Sequence, residues 1–492
     1  MGTNTKLYEI NIRTFLRRYD SPEKRATFND IPLTFWKSLA DKGFNYIWLM
    51  GIWETCPSVI PEHCFQEGLV NSYNRALKNW TKEDVIGSPY AINRYEINSS
   101  LGDKDELRFL RKIIHSLGMK LILDFIPNHF SVDTIYKESN PNLFLQASED
   151  DLKDDPHTFF RSKVYPDIIF AHGRDPFFPA WTDTIQLNYF NPETRSFIIN
   201  TLLNIMNICD GVRCDMSMLV MNNIFLNTWR GVINNSHIQV PEVEFWKEAI
   251  NKVKSENQNF LLIAETYWDL EWDLQQLGFD YTYDKKLLDR LKDGTPRSIH
   301  EHLKADLSYQ LKSVRFIENH DEDRVTQSLG TERSLAAAII ISTIHGMHLF
   351  FEGQFGGYRI KLPVQLGKEP HEHEVKSIEK FYDKLFEITN HEVFHKGIWK
   401  LLDINSSWER NNSFNNILAW NWSYAGHQRL IVVNYSNTVS QCRIKLDVEG
   451  YEENFKLIDL LHNTTYWRNS EEVHHTGLFI ELQAFKSHIF SY

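Results

Sequence analysis

Two hydrophobic periods take turns along this chain. Residues 7–15 alternate apolar and polar positions and predict a strand, and 33–42 follow with apolar residues at helical spacing. Residues 45–53 are almost continuously apolar, the pattern of a parallel strand covered on both faces. A long polar segment, roughly 55–95, then interrupts. Residues 104–117 predict an amphipathic helix stopped by Gly118, and 120–126 predict another buried strand. Helical spacing over 192–207 leads to a strand near 211, and helical spacing over 243–255 leads to a strand over 260–265. Three more strands are predicted over 279–283, 314–317 and 347–351, with helical stretches between them. The longest apolar run, 335–344, is too short to cross a bilayer and predicts a buried helix.

Eight strands alternating with helices imply a closed parallel barrel of eight β/α units, not an open sheet. Functional residues should then collect on one rim, where strands end and loops begin. Beyond residue 386 the texture changes. Short runs at 417–420, 429–435, 442–448, 455–461 and 478–482 are separated by Asn, Gly and Ser turns, with no helix-length period among them. A small antiparallel β-sandwich is expected there. The expected organisation is a TIM (β/α)8 barrel over 1–390, carrying a loop insertion over about 130–190 after its third strand, and an all-β unit over 391–492.

Composition narrows the function. A chain of 492 residues exceeds what one core usually supports, and 42% apolar with 24% charged residues is the balance of a soluble globular protein. A net charge of −12 without a basic stripe argues against nucleic acid or an anionic membrane as partner. The 14 Trp, 20 Tyr and 32 Phe suit the apolar faces of sugars, although large cores also use aromatics. Five cysteines, at 56, 64, 209, 214 and 442, form no C-x-x-C pattern, which argues against zinc or a disulfide framework. Residues 1–18 hold no apolar run of signal-peptide length, so a cytoplasmic location is expected.

The chemistry gathers around residues 211–216. Arg213 and Asp215 lie two apart, so on a strand they share a face while Val212 and Cys214 point away. A guanidinium beside a carboxylate is expected to keep the acid ionised and its lone pairs aimed, though an isolated Arg-x-Asp also reads as a structural ion pair. The other strand ends change the balance. One runs Asp124-Phe125-Ile126-Pro127-Asn128-His129, another ends at Glu265, and a later one runs Glu318-Asn319-His320-Asp321. Carboxylates, an arginine and two histidines from separate strands thus converge on one mouth, an arrangement costly to assemble for stability alone.

These four segments, in this order and on these strands, resemble the signature regions of the α-amylase superfamily, glycoside hydrolase family 13. Ser88-Pro89-Tyr90 is similar to the family's segment with a substrate-stacking tyrosine, and the C-terminal sandwich matches as well. The resemblance implies Asp215 as nucleophile, Glu265 as general acid and base, and Asp321 as the group that binds hydroxyls of the distorted sugar. It implies substrate binding by Tyr90, His129, Arg213 and His320, with the histidines donating to hydroxyls and Arg213 keeping Asp215 anionic. Asp124 is read as structural support. The implied partner is an α-glucan or oligosaccharide, and the implied reaction is retaining hydrolysis of α-glucosidic bonds. A glycosyltransferring enzyme of the same fold and a non-catalytic sugar-binding barrel are the alternatives. All three acids, one of which the latter usually loses, are present.

The pattern also departs from the family. Positions 218 and 219, where a Lys-His pair is common, hold Met218 and Leu219, and Arg94 stands where an Asp is frequent. Asn128 could offer an oxygen to calcium, but a hard cation needs 6–8 oxygens and no second set is evident, so no metal or other cofactor is expected. Two loop segments, 172–181 and 352–359, mix aromatics, Gly and Arg as a sugar pocket would. They offer Arg174, Trp181, Gln354 and Arg359 as further candidates for contact with substrate.

Overall fold

The strand Tyr46–Met50 is buried at every position, and so is Leu261–Ala264, which only strands covered on both faces can be. In the computed structural model, which describes residues 4–236, 238–448 and 452–492, they are two of eight parallel strands. In chain order these are β1 (Asn4–Asn11), β2 (Tyr46–Met50), β3 (Lys120–Phe125), β4 (Gly211–Cys214), β5 (Leu261–Ala264), β6 (Tyr281–Tyr283), β7 (Ser313–Arg315) and β8 (Gly346–Phe351). Each pairs with its sequence neighbour, and β8 closes on β1, so the expected closed barrel is what forms. Helices pack around it. Lys104–Ser116 is capped by Asp103, whose side chain accepts from the backbone N–H groups of Asp105 and Glu106, and it stops before Gly118, at φ +78°. Thr331–Thr343 is buried on nearly all sides, as its apolar run predicts, and no helix among the described residues is long and apolar enough to cross a membrane.

Two strand boundaries differ from expectation, each for a local reason. Residues 12–15 leave the strand and form a helical turn, because Ile12, Phe15 and Leu16 are buried at helical spacing while Arg13 donates to the Gly87 and Ile86 carbonyls at 2.8 Å. The apolar run 45–53 breaks at Gly51, at φ +84°, and Trp53–Thr55 instead pairs antiparallel with Ile92–Ile97. After β3 the chain builds a ribbon of His129–Ser131 with Thr184–Gln186, and a three-stranded sheet from Gln146–Ala147, Phe159–Arg161 and Ile169–Ala171.

Beyond the barrel lie β9 (Ile398–Leu401), β10 (Ile404–Asn405), β11 (Ile417–Tyr424), β12 (His427–Asn434), β13 (Ser440–Ile444), β14 (Asn454–Asp459), β15 (Thr464–Asn469), β16 (Leu478–Leu482) and β17 (Ser487–Ser491). They form two antiparallel sheets in the orders β9-β11-β12-β17-β14-β15 and β10-β13-β16. The period-2 alternation of β11 serves two cores. Ile417 and Ala419 face the space between the sheets, while Leu418, Trp420 and Trp422 face the barrel, where both indole N–H groups donate to the Thr343 carbonyl at 3.0 and 2.7 Å. A helix over Ser470–Thr476, absent from the expectation, is capped by Asn469. The strand β15 was hidden because no position on it is fully buried, so it carries no alternation.

Gly211 opens β4 where strands crowd. A methyl group there would stand 2.6 Å from the Leu261 carbonyl oxygen and 2.9 Å from Ile122. Gly211→Ala is expected to destabilise the fold by about 1–3 kcal/mol, as denaturant titration would measure. An unchanged midpoint would mean that β4 and β5 are free to separate.

Candidate active site

Register decides which side chains meet. Arg213 on β4 pairs with Asp124 on β3 and Ile263 on β5, and Cys214 pairs with Phe125 and Ala264. Asp215 and Glu265 therefore leave the barrel at one level. The Asp215 N–H donates to the Phe125 carbonyl at 2.8 Å, and the Glu265 N–H donates to the Cys214 carbonyl at 3.0 Å. Met216 then turns in the left-handed region, at φ +41°, and its N–H donates to Glu265 Oε2 at 2.6 Å. Asp321 arrives from the loop after β7, where the Asn319 side chain accepts the N–H groups of Asp321 and Glu322 at 3.0 and 2.9 Å.

Arg213 ties these acids together. Its side chain is 1% exposed and lies against the rings of Trp48, Tyr90 and Tyr283, 5.2, 5.3 and 5.8 Å from their centroids. Two of its nitrogens reach Asp215 Oδ1 at 2.8 Å and Glu265 Oε2 at 2.9 Å, while Asp124 and Asp321 stand at 3.7 and 4.0 Å. Burial opposes its charge, but facing Glu265 and Asp215 more than offsets this. The expectation that Arg213 holds Asp215 ionised is corrected in the substrate-free site. Burial first, and then the charge of Glu265, push the Asp215 carboxyl up to about 8, more than Arg213 pulls it down. Glu265 meanwhile receives three donors, Arg213, the Met216 N–H and the Tyr267 hydroxyl at 2.8 Å. The Asp215 carboxylate has Arg213 as its only hydrogen-bond partner among the described residues.

Asp215, Glu265, Asp321, Tyr90 and His129 line one cleft of about 350 Å³, together with Trp181, Asp183, Met216, Tyr267 and Gln365. Arg213 and His320 sit behind that wall. His320 Nδ1 faces Glu9 Oε1 at 2.5 Å, and its Nε2 faces the Tyr90 hydroxyl at 2.7 Å and Asp321 Oδ2 at 2.9 Å. Burial opposes its charge, but Asp321 and Glu9 outweigh it and raise the imidazole to about 10. For Asp321 partial burial is likewise overcome, and the charge and hydrogen bond of His320 bring it down to about 2. Both ring nitrogens are engaged, so His320 orients Asp321 and Tyr90 where a donor to substrate was expected. His129 is buried beside Trp181, with ring centroids 5.3 Å apart, and burial lowers it to about 4, leaving a neutral ring. Asp124 has the supporting role anticipated for it, accepting from Trp48 Nε1 at 3.2 Å and the Gly51 N–H at 3.0 Å.

Of the four loop candidates only Trp181 reaches the cleft. Arg174 pairs with Asp155 at 3.8 Å, Gln354 is buried against the Tyr382 hydroxyl at 2.9 Å, and Arg359 is bound to Gln327 at 3.0 Å. Met218 and Leu219 are buried in the turn after Met216, and Arg94 pairs with Glu54 at 3.0 Å. The Asn128 side-chain oxygen accepts the Gln186 amide at 3.0 Å. Glu9, Trp48, Tyr267 and Tyr283 escaped the sequence reading. Glu9 is an acid within an otherwise core-forming strand, and Tyr267 follows Glu265 at the spacing that returns it to the same side. The aromatics under Arg213 carry no local signal.

Comparison with known proteins supplies the context. A family model described as "Alpha amylase, catalytic domain" matches residues 43–399. An α-amylase of Haloarcula japonica is 24% identical over 273 residues, which cover 54% of this chain and 36% of that protein. A cyclomaltodextrin glucanotransferase of a Bacillus species is 23% identical over 269 residues, covering 52% and 36%. The chain spans between about a third and just over half of the length of the first such relatives. A maltogenic α-amylase from Thermotoga neapolitana has the same fold, with a TM-score of 0.68 at 20% identity over 99% of this chain and 98% of that one.

The His320 network makes stability depend on pH. The folded imidazole holds its proton far above the 6.5 of a free one, so its contribution is complete below about 6.5 and is lost as pH rises from there to about 10. The difference in Tm between wild type and His320→Gln is expected to be largest near pH 6 and to shrink towards pH 10. A difference independent of pH would remove the charge from that account.

Proposed function

The chain belongs to the α-amylase family, and on that premise we propose that it is a retaining glycoside hydrolase that cleaves α-glucosidic bonds in oligo- or polysaccharides. The observation that carries this reading is the meeting of Asp215, Glu265 and Asp321, from three separate strand ends, in one cleft with Tyr90 and His129. Asp215 attacks the anomeric carbon and forms the new C–O bond while Glu265 gives its proton to the departing glycosidic oxygen. Glu265 then takes a proton from water, whose oxygen displaces Asp215, and two inversions leave the configuration retained. Two carboxylates held by one guanidinium favour the short spacing of this mechanism over the wider one that leaves room for water in the first step. Asp321, fixed by His320, holds hydroxyls of the distorted ring, and Tyr90 lies beneath it. Attack needs Asp215 bare and the proton on Glu265.

Glycosyl transfer is the second reading, supported by the glucanotransferase among the relatives. Incubation with maltooligosaccharides separates the two, since transfer gives products longer than the substrate and hydrolysis does not. Asp215→Asn is expected to lower turnover by on the order of 10⁴-fold, with wild-type product released as the α-anomer by NMR. Turnover unchanged in the variant, or a β-anomer, would sink the role given to Asp215.

The raised Asp215 carboxyl has its own signature. With α-glucosyl fluoride, whose leaving group needs no acid, kcat/KM is expected to rise with pH towards about 8 as Asp215 ionises. Glu265→Gln removes the neighbouring charge and should move that limb to lower pH by at least about one unit. An unmoved limb would show that the two carboxyls do not titrate together.

A further inference from the structure

The C-terminal sheets hold a second polar cluster that the barrel chemistry does not use. Asp459 ends β14 with its side chain fully buried. Cross-strand register sets Asp459 opposite Phe490 on β17, so His488, two residues earlier, shares its face. His462 returns to the same point from the turn three residues after Asp459. The Nδ1 atoms of His462 and His488 lie 2.6 and 2.7 Å from one oxygen, Asp459 Oδ2, and the three atoms are all within 4.8 Å of one another. The other oxygen, Asp459 Oδ1, accepts the Leu461 N–H at 3.1 Å. The His488 ring is stacked on Phe490, with centroids 4.7 Å apart.

We propose that Asp459, His462 and His488 bind one divalent transition metal ion of the zinc class. Two imidazole nitrogens and one carboxylate oxygen are the donor set such ions take, whereas calcium and magnesium require oxygens throughout. The site is largely built before any ion arrives. Both rings present the same nitrogen to one point, the carboxylate is oriented by a backbone N–H, and the stack on Phe490 fixes one ring. With metal–ligand bonds of about 2.0–2.2 Å, tetrahedral corners stand roughly 3.3–3.5 Å apart. The oxygen and each nitrogen therefore need to part by less than about 1 Å, which rotation of His462, 53% exposed, together with a small turn of the Asp459 carboxylate away from His488, can supply. The ion replaces the two contacts to Asp459, with each ring a neutral imidazole protonated at Nε2 and a water at the fourth corner on the open His462 side. Bound there, it would tie the turn after β14 to the final strand.

The test uses the full chain freed of metal by chelator and titrated with zinc chloride in excess magnesium and calcium, by calorimetry and thermal unfolding. Wild type is expected to bind one zinc and to gain several degrees in Tm. His462→Ala, an exposed position that leaves the core intact, is expected to lose that gain and to bind at least about tenfold more weakly. His488→Ala provides the second arm, and cobalt in place of zinc should give the visible absorption of a tetrahedral centre in wild type alone. Absence of zinc uptake by wild type would overturn the proposal. So would uptake as tight in both variants, which would assign the ion to other surface histidines.

Discussion

A guanidinium removed from water is tolerable only where several anions share it, and the cost of burying the anions is met only by the same guanidinium. Arg213 and the acids around it stand in this mutual dependence. Trp48, Tyr90 and Tyr283 exclude water from the cation, and the parallel register of β3, β4 and β5 determines which carboxylates it meets. Loss of one charged partner from such a group typically costs about 3–5 kcal/mol, because the others are left uncompensated. The barrel thus fixes Arg213, Asp215 and Glu265, while loops bring Asp321 and Tyr90 to them.

The arrangement has a directional asymmetry. Glu265 is surrounded by donors, while Asp215 has one, and burial together with the charge of Glu265 raises the carboxyl that must later be bare. Behind them His320, clamped between Glu9 and Asp321, keeps the third acid ionised over a wide pH range. Hydroxyls of a bound ligand can replace the donors that now hold Glu265.

Much of this was legible in the chain itself. Buried parallel strands write themselves as apolar runs, and residues that follow them fall on one rim, so Asp215, Glu265 and Asp321 could be placed together from spacing and resemblance. What stayed hidden depended on contacts between distant segments. Glu9 is hydrogen-bonded across 311 positions to His320, and the rings around Arg213 come from β2, β6 and the loop containing Tyr90. Neither leaves a local pattern. The loop candidates failed for the opposite reason. Arg174, Gln354 and Arg359 have the composition of a binding wall, but each found a nearer partner in the fold, as long polar side chains commonly do. The β15 strand escaped because a strand without a buried side has no period to read.

At the seam between the barrel and the C-terminal sheets, the Thr343 carbonyl receives two indole donors from β11. Its consequence is one of inheritance. A recombination that exchanged the tail for an unrelated one would leave this acceptor, at the end of an almost wholly buried helix, without its donors, a loss worth about 1–3 kcal/mol unless the newcomer brought replacements. Lineages descended from this architecture should therefore reshape their rim loops freely while passing on the two tryptophans and the strand that bears them as one unit.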